Sequence, residues 1–374
     1  MTWPMVELGS LVSIKTGKLD ANAASESGIY PFFTCSKTTL KINDYEFDDD
    51  AILVAGNGDL NVKHYSGKFN AYQRTYVVIA KDSSLHTRFL YYFMDKYVDK
   101  LREQSIGGVI KYIKLGMLTE AKTPLPPLAE QQRIAAILDK ADAIRRKRQQ
   151  AIQLADEFLR AVFLDMFGDP VTNPKGWGVV MLDDVLEAIE SGSSPKCETR
   201  VAHDKEWGVL KLGAVTTGAF IASENKAIFS DYEPNLKYEV KPGDLLFTRK
   251  NTFNLVAAVA LVEETRKGLL LPDLIFRLCI KTCVEKYFLW KLLSNTSMRS
   301  KIQALASGAA GSMPNISKAN LKTVEIILPP MEEQMRFGEI CKKVSLLKND
   351  NEGFLGSQED LFSSLSQKAF KGEL

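Results

Sequence analysis

Leu125-Pro126-Pro127-Leu128-Ala129-Glu130-Gln131 recurs further along the chain as Leu328-Pro329-Pro330-Met331-Glu332-Glu333-Gln334, with Arg133 matched by Arg336. Continued without a gap, the match sets Ile134 against Phe337, Ile137 against Ile340 and Ala141 against Val344. It goes on to set Ile144 against Leu347, Phe158 against Leu361 and Phe167 against Phe370. An ordered correspondence of this length is a duplication, and a duplication fixes the architecture before any single element is read. A looser match precedes each copy: Trp3-Pro4-Met5-Val6-Glu7-Leu8 resembles Trp177-Gly178-Val179-Val180-Met181-Leu182, and each leads to a glycine, Gly17 or Gly192. The order is variable module, helix, variable module, helix. The modules share their ends more than their middles, which implies one scaffold carrying two different surfaces.

Both duplicated segments have a heptad seam, apolar at alternating steps of three and four. In the first copy it runs through Ile134, Ile137, Ala141, Ile144 and, after Arg148, through Ala151, Ala155, Phe158 and Val162. In the second it runs through Phe337, Ile340, Val344, Leu347 and, after Asn351, through Phe354, Gln358, Leu361 and Leu365. The polar Arg148 and Asn351 interrupt the seams at one level, and two readings stay open: register devices, or solvent access where the helices splay. Pro-Pro at each mouth and Glu130 or Glu332 in the first turn suit a helix start, and Gly168-Asp169-Pro170 suits a stop. About 36 residues at 1.5 Å rise predict a rod of roughly 54 Å. The second copy carries Gly338, Gly353 and Gly356, each costing up to about 1 kcal/mol in a helix interior, so packing on the first helix is expected. An antiparallel pairing would put the modules at opposite ends of the rod. The expected fold class is α/β (α+β): two mixed modules at 1–125 and 169–328, and repeat helices at 126–168 and 329–374 pairing as an antiparallel coiled coil with pseudo-twofold symmetry.

The chain's 374 residues suggest two or three folding units. With 48 Lys+Arg against 46 Asp+Glu, the net charge of +2 makes no global case for nucleic acid, so any such binding must come from local patches. Five scattered cysteines and no signal peptide point to reduced thiols in a cytoplasm. The longest apolar run, residues 255–262, is far short of the roughly 20 residues that span a bilayer.

Catalytic constellations are missing. There is no phosphate loop, and Gly56-Asn57-Gly58 lacks the third glycine and the helix of a dinucleotide site. The Asn-Pro-Pro-aromatic signature of an adenine methyltransferase is absent, and Pro272-Asp273 with Glu285-Lys286 lacks the spacing of a nuclease pair. His64, His86 and His203 lie far apart, and Cys279 and Cys283 form the one close cysteine pair, so no metal site is expected. The cysteines read instead as small buried residues.

Taken together these motifs resemble the specificity subunit of type I restriction–modification systems. The likeness rests on the duplicated Leu-Pro-Pro-x-x-Glu-Gln openings and on Met166-Phe167-Gly168-Asp169-Pro170. It also rests on Gly243-Asp244-Leu245-Leu246 with Arg249 and Asn251-Thr252 after it, and on the closing Lys368-Ala369-Phe370-Lys371-Gly372-Glu373-Leu374. The resemblance implies a protein with no catalysis of its own. Each module would be a target-recognition domain reading one half of a split double-stranded DNA site, with the helices setting the gap. Two modification subunits, holding S-adenosylmethionine and methylating adenine, would dock near the helices, and an ATP-driven restriction motor–nuclease subunit would join them. The competing reading is a coiled-coil adaptor that binds proteins only, supported by the near-neutral charge.

DNA reading needs local cations, side chains able to reach base edges, and small residues for close backbone approach. In residues 63–76, Lys63, His64, Lys68 and Arg74 are interleaved with Tyr65, Phe69, Tyr72 and Tyr76, without an acid. The plainer expectation is a hairpin turning at Ser66-Gly67-Lys68; both can hold, with 76–79 a buried strand and 63–74 an exposed rim. The equivalent place in the second module is taken as residues 247–254, where Arg249, Lys250, Asn251, Thr252 and Asn254 are candidates; a loop capping the sheet, with Arg249 paired to a carboxylate, is the alternative. Two glycine-rich loops, residues 105–111 with Lys111 and residues 307–312, suit phosphate contact or a simple turn after helices expected at 89–102 and 287–306. The basic run Arg133, Lys140, Arg145, Arg146, Lys147 and Arg148 suits a solvated face, DNA or an acidic partner.

Overall fold

The computed structural model describes residues 3–307 and 313–374, without the side chains of residues 349–360. The chain divides into two compact units, Met1–Gln150 with Glu352–Leu374, and Ala151–Asn351, each holding part of both long helices.

The first unit opens with β1 (Met5–Glu7), α1 (Leu8–Leu11) and β2 (Val12–Thr16). It continues through β3 (Tyr30–Phe33), β4 (Leu40–Ile42), β5 (Phe47–Ala55), β6 (Val62–Ala71) and β7 (Thr75–Ala80). After α2 (Thr87–Gln104), α3 (Leu115–Thr119) and β8 (Lys122–Pro124), the chain enters α4 (Leu128–Phe167). The sheet order is β2-β7-β5-β6-β3-β4, and β1 pairs β8. Strand β5 is wholly apolar from Ala51 to Ala55 because it separates two cores. Ile52 and Val54 face the helices with Phe89, Leu90 and Ile134, while Ala51 and Leu53 pack among Phe33, Phe69 and Val77.

The second unit contains β9 (Val179–Met181), β10 (Leu186–Ser191), β11 (Gly208–Leu210), α5 (Gly213–Thr216), β12 (Asn225–Ala227) and β13 (Leu245–Thr248). Then follow β14 (Val259–Leu261), β15 (Leu269–Leu270), β16 (Ile275–Ile280), α6 (Lys286–Ser294), α7 (Thr296–Gln303), α8 (Lys318–Lys322), β17 (Glu325–Ile327) and α9 (Met331–Lys371). Its sheets run β10-β16-β13-β14, β12-β11-β15 and β17-β9. The antiparallel series β2-β7-β5-β6 reappears as β10-β16-β13-β14. Strand β3, antiparallel to β4 and parallel to the end of β6, reappears as β11, antiparallel to β12 and parallel to β15. One topology therefore serves both modules; what is a single strand β6 in the first is interrupted between β14 and β15 in the second.

Two glycines mark the same crossing in each copy. A Cβ on Gly17 would lie 1.7 Å from the Ala71 carbonyl oxygen, and one on Gly192 would lie 1.8 Å from that of Leu271.

The long helices run antiparallel within each unit. In the first, Arg133 donates to the Leu374 carbonyl at 3.0 Å while Arg145, further along α4, lies 5.0 Å from the Phe362 ring. In the second, Lys348 bonds Asp156 at 2.7 Å while Phe337, earlier on α9, meets Phe163, later on α4, at 5.5 Å. The seam differs from the heptad expectation. Ile134, Phe337 and Val344 are buried, and Ile137, Ala141 and Ile340 are half-buried, but Ile144, Phe158, Leu347 and Leu361 are exposed. Leu138, Leu159 and Phe163 take the buried places. A helix packing on a module as well as on its neighbour presents a wider and rotated apolar face than a two-helix seam. The side chains of Asn351, Phe354 and Gln358, and the packing around Gly353 and Gly356, lie outside what is described. Gly338 is explained by packing: a Cβ there would come 2.8 Å from the Glu285 carboxyl.

Two local expectations are corrected. Strand β6 runs straight through Ser66-Gly67-Lys68, with Gly67 at φ +123°, and the chain turns only between β6 and β7, at residues 72–74. The helix expected over 287–306 breaks at Asn295, whose side chain caps α7 by accepting from Ser297 N–H at 3.0 Å.

Candidate nucleic-acid interface

In both modules the loop between the two central strands is bridged to the loop that precedes the last small helix. In the first, Gly56 N–H donates to the Arg74 carbonyl at 2.8 Å and Gly56 C=O accepts from Ile113 at 2.9 Å. Gly58 N–H then donates to the Lys111 carbonyl at 2.8 Å. In the second, Arg249 N–H donates to Leu274 at 3.1 Å, Arg249 C=O accepts from Ile316 at 2.8 Å, and Asn251 N–H reaches Pro314 at 3.4 Å. The bridges Asn57 with Tyr112 and Ile106 with Tyr112 are matched by Lys250 with Asn315 and Ser307 with Asn315.

These backbone bonds make Gly56 the counterpart of Arg249, Asn57 of Lys250, Gly58 of Asn251 and Lys111 of Pro314. The first cradle draws its cations from its flanks, Arg74 and Lys111, both exposed. The second draws them from its centre, Arg249 and Lys250. The counterpart of the 249–258 loop is therefore residues 56–61, not the strand residues 63–71. Gly56-Asn57-Gly58 gives no signal in the sequence because its glycines match no phosphate motif. The constant spacing that pairs Tyr112 with Asn315 was the signal that could have found it.

The candidates within residues 63–74 separate accordingly. Lys63 is half-buried and donates to the Ser36 carbonyl, and its burial pushes the ammonium pKa down. His64 is not a free reader: it bonds Asp50 at 2.6 Å and lies 3.3 Å from Arg88, which also holds Asp139. Tyr65 packs against Phe33 and Phe69. Lys68 lies 4.5 Å above the Tyr45 ring, exposed at the far end of β6. Of the first module's candidates, Arg74 and Lys111 alone meet its cradle.

In the second module Arg249 donates to the Asn315 side chain at 3.1 Å and stacks 5.2 Å from the Phe276 ring, so its partner is an amide and an aromatic face rather than the carboxylate of the alternative reading. Asn251 is buried, its Oδ1 accepting from Thr252 N–H at 2.8 Å, which removes it as a direct reader. Thr252 and Asn254 are exposed. Arg299 and Gln303 of α7, missed in the sequence, hold this loop by donating to the carbonyls of Asn254 and Phe253, each at 2.9 Å. The second glycine-rich stretch, residues 308–312, lies outside the described residues.

Of the cysteines thought buried, Cys279 is half-buried and Cys283 exposed. Among the described residues no three His, Cys, Asp or Glu come together as metal ligands, and no helix is long and apolar enough to cross a membrane.

A backbone cradle built twice, with unlike side chains on matching bonds, marks a duplicated scaffold that carries two different surfaces. The family described as type I restriction modification DNA specificity domain matches residues 1–154 and 174–353. The chain is 28% identical, over its whole length and 88% of the relative's, to the type I restriction enzyme EcoDI specificity subunit of Escherichia coli. It is 23% identical, over 92% of this chain and 86% of the relative, to the MjaVIII specificity subunit of Methanocaldococcus jannaschii. In fold it is similar to the S subunit of a type I restriction-modification system from M. genitalium, with a TM-score of 0.67 at 17% identity over 99% of this chain and 96% of that one. The chain belongs to this DNA specificity family and is a non-catalytic specificity subunit of a type I restriction–modification system. Membership decides against the coiled-coil adaptor without DNA binding.

Proposed function

We propose that the two recognition domains, residues 1–125 and 169–328, each read one half of a bipartite double-stranded DNA site, using residues 56–61 with Arg74 and Lys111 in one and Arg249, Lys250, Thr252 and Asn254 in the other. The observation that carries this is the matched bonding of Gly56 and Arg249. Identical backbone placement of different side chains is what lets one scaffold recognise two sequences. Arg249 and Lys250 are suited to guanine edges or phosphates, and Asn57 to adenine. The exposed Ile144, Phe158 and Leu361 of the long helices leave apolar surface for two modification subunits, and a restriction subunit completes the assembly. S-adenosylmethionine and ATP belong to those partners, and the work is done on DNA in the cytoplasm.

The test is selection from a random duplex library by the chain with its modification partners. A two-part enriched sequence is expected. Arg249→Ala then weakens one half-site roughly tenfold, as loss of one base or phosphate contact does, and leaves the other unaltered. Equal loss at both halves, or no enrichment, rejects the reading.

A further inference from the structure

Resting on that reading, we infer that Val109 with Ile110 in the first module, and Phe253 with Leu255 in the second, are apolar wedges that enter the DNA at a base step of each half-site. The first pair stands on a tightly built tip. Ile106 and Tyr112 exchange both backbone hydrogen bonds, at 3.0 and 2.9 Å, and the Gly58–Lys111 bond ties the tip to the cradle. Gly107 has φ +110°, and a Cβ on it would lie 2.5 Å from the Ile110 carbonyl, so the closure needs glycine. On this pinned tip Val109 is fully exposed and Ile110 is 64% exposed, next to the cation of Lys111.

The second pair arises on an unrelated loop. Gln303 and Arg299 grip the carbonyls of Phe253 and Asn254, Leu255 N–H bonds the Thr252 carbonyl at 2.9 Å, and the buried Ala257 is held at φ +60°. A left-handed alanine costs energy that its surroundings must hold in place. Here Phe253 is 60% and Leu255 41% exposed, on the loop that opens with Arg249 and Lys250.

Single exposed apolar residues need no explanation. Two hydrogen-bonded loops of different sequence that each carry a pair of them close in the chain to cations, at corresponding cradles, do. Cations of this kind draw in phosphates, and an apolar side chain delivered to a duplex gains by leaving water against a thymine methyl or an opened base step. A protein partner would be expected to cover the apolar pairs without the flanking cations.

The experiment uses the full chain with its modification partners on the enriched duplex, with 2-aminopurine placed at successive positions to report unstacking by fluorescence. Wild type is expected to brighten one step in each half. The double substitution Val109→Ser with Ile110→Ser removes the signal in one half only and lowers affinity about tenfold, while the slope of log affinity against log salt stays unchanged because no phosphate contact is lost. Phe253→Ser with Leu255→Ser does the same in the other half. Val109→Leu with Ile110→Leu retains the signal, which separates a wedge from a folding defect. No brightening in wild type beyond the adenine that the modification subunits turn out of the stack, or brightening at a second step that survives both serine pairs, overturns the inference. Loss of the modification subunits with DNA affinity intact does so in favour of protein docking. Failure of the assembly to enrich any duplex sinks the proposed function instead.

Discussion

Gln131 holds His86: its Oε1 accepts the His86 backbone N–H at 2.8 Å, while its Nε2 donates to the carbonyls of Ser84 and Pro126 at 2.9 and 2.8 Å. Gln334 does the same for Glu285, at 2.9 Å, and for the Pro329 carbonyl, at 2.7 Å. Both glutamines are buried. The last residue of each duplicated Leu-Pro-Pro motif is thus a clamp that fixes the start of α2 or α6 to the long helix beside it.

Gln131→Leu is expected to destabilise the first unit by about 2–4 kcal/mol, because a buried N–H and two carbonyls lose their partner together. Gln334→Leu has a comparable effect on the second. Urea unfolding with hydrogen exchange resolved by unit checks this; a shift below about 0.5 kcal/mol would contradict the clamp.

Gly17→Ala and Gly192→Ala both place a methyl within 1.8 Å of a carbonyl oxygen. Each is expected to cost about 3 kcal/mol or more, since backbone and not a flexible side chain must yield. Thermal melting of the two variants measures it, with Gly176→Ala, where no atom lies within 4 Å but φ is +68°, giving only the smaller backbone cost.

Arg277 is buried and bonds Glu190 and Asp244, each at 2.9 Å. Arg277→Met takes the shared cation from both carboxylates, Glu190 keeping only the more exposed Lys237 at 3.3 Å, and should cost about 3–5 kcal/mol. Burial by itself would raise the Glu190 carboxyl, but hydrogen bonds from Arg277 and Lys237 bring it below the ordinary 4.5. A carboxyl depressed in the folded state stabilises fully above 4.5 and loses that contribution as the pH falls through its folded value. The urea midpoint of wild type should therefore fall as the pH drops below about 4.5, and the Arg277→Met variant should lose less over that range. Parallel curves would reject the assignment.

Burial pushes the Cys341 thiol up to about 12, whereas Cys283 is exposed. With a thiol-reactive disulfide reagent at pH 8, Cys283 is expected to react promptly and Cys341 only on unfolding, since the thiolate is the nucleophile. Peptide mapping of the labelled protein distinguishes them; early label on Cys341 would show that α9 opens locally.

The duplication, the two long helices and their antiparallel partnership were legible in residues 125–167 and 328–370, and the family in those stretches together with residues 166–170, 243–252 and 368–374. Repeats and heptads are one-dimensional patterns, and burial of an apolar stripe demands a partner wherever it occurs. The glycines that the crossing needs, Gly17 and Gly192, were visible as a matched pair, though not their reason: a carbonyl from a strand far along the chain fills the space a methyl would take. Which helix positions are buried was not legible, because α4 and α9 pack on sheets and on α2 or α6 as well as on each other. Leu159 and Phe163 therefore displace Phe158.

The cradles belong wholly to tertiary structure. Gly56 and Arg249 share no chemistry and stand at different distances from their repeat helices, and only the strand order that brings 74 and 113 to one, and 274 and 316 to the other, makes them counterparts. Sequence determined that there are two alike scaffolds, because their shared ends must rebuild the same backbone bonds. Folding decided which side chains face out of them, because strand register and loop closure depend on contacts between residues remote in the chain.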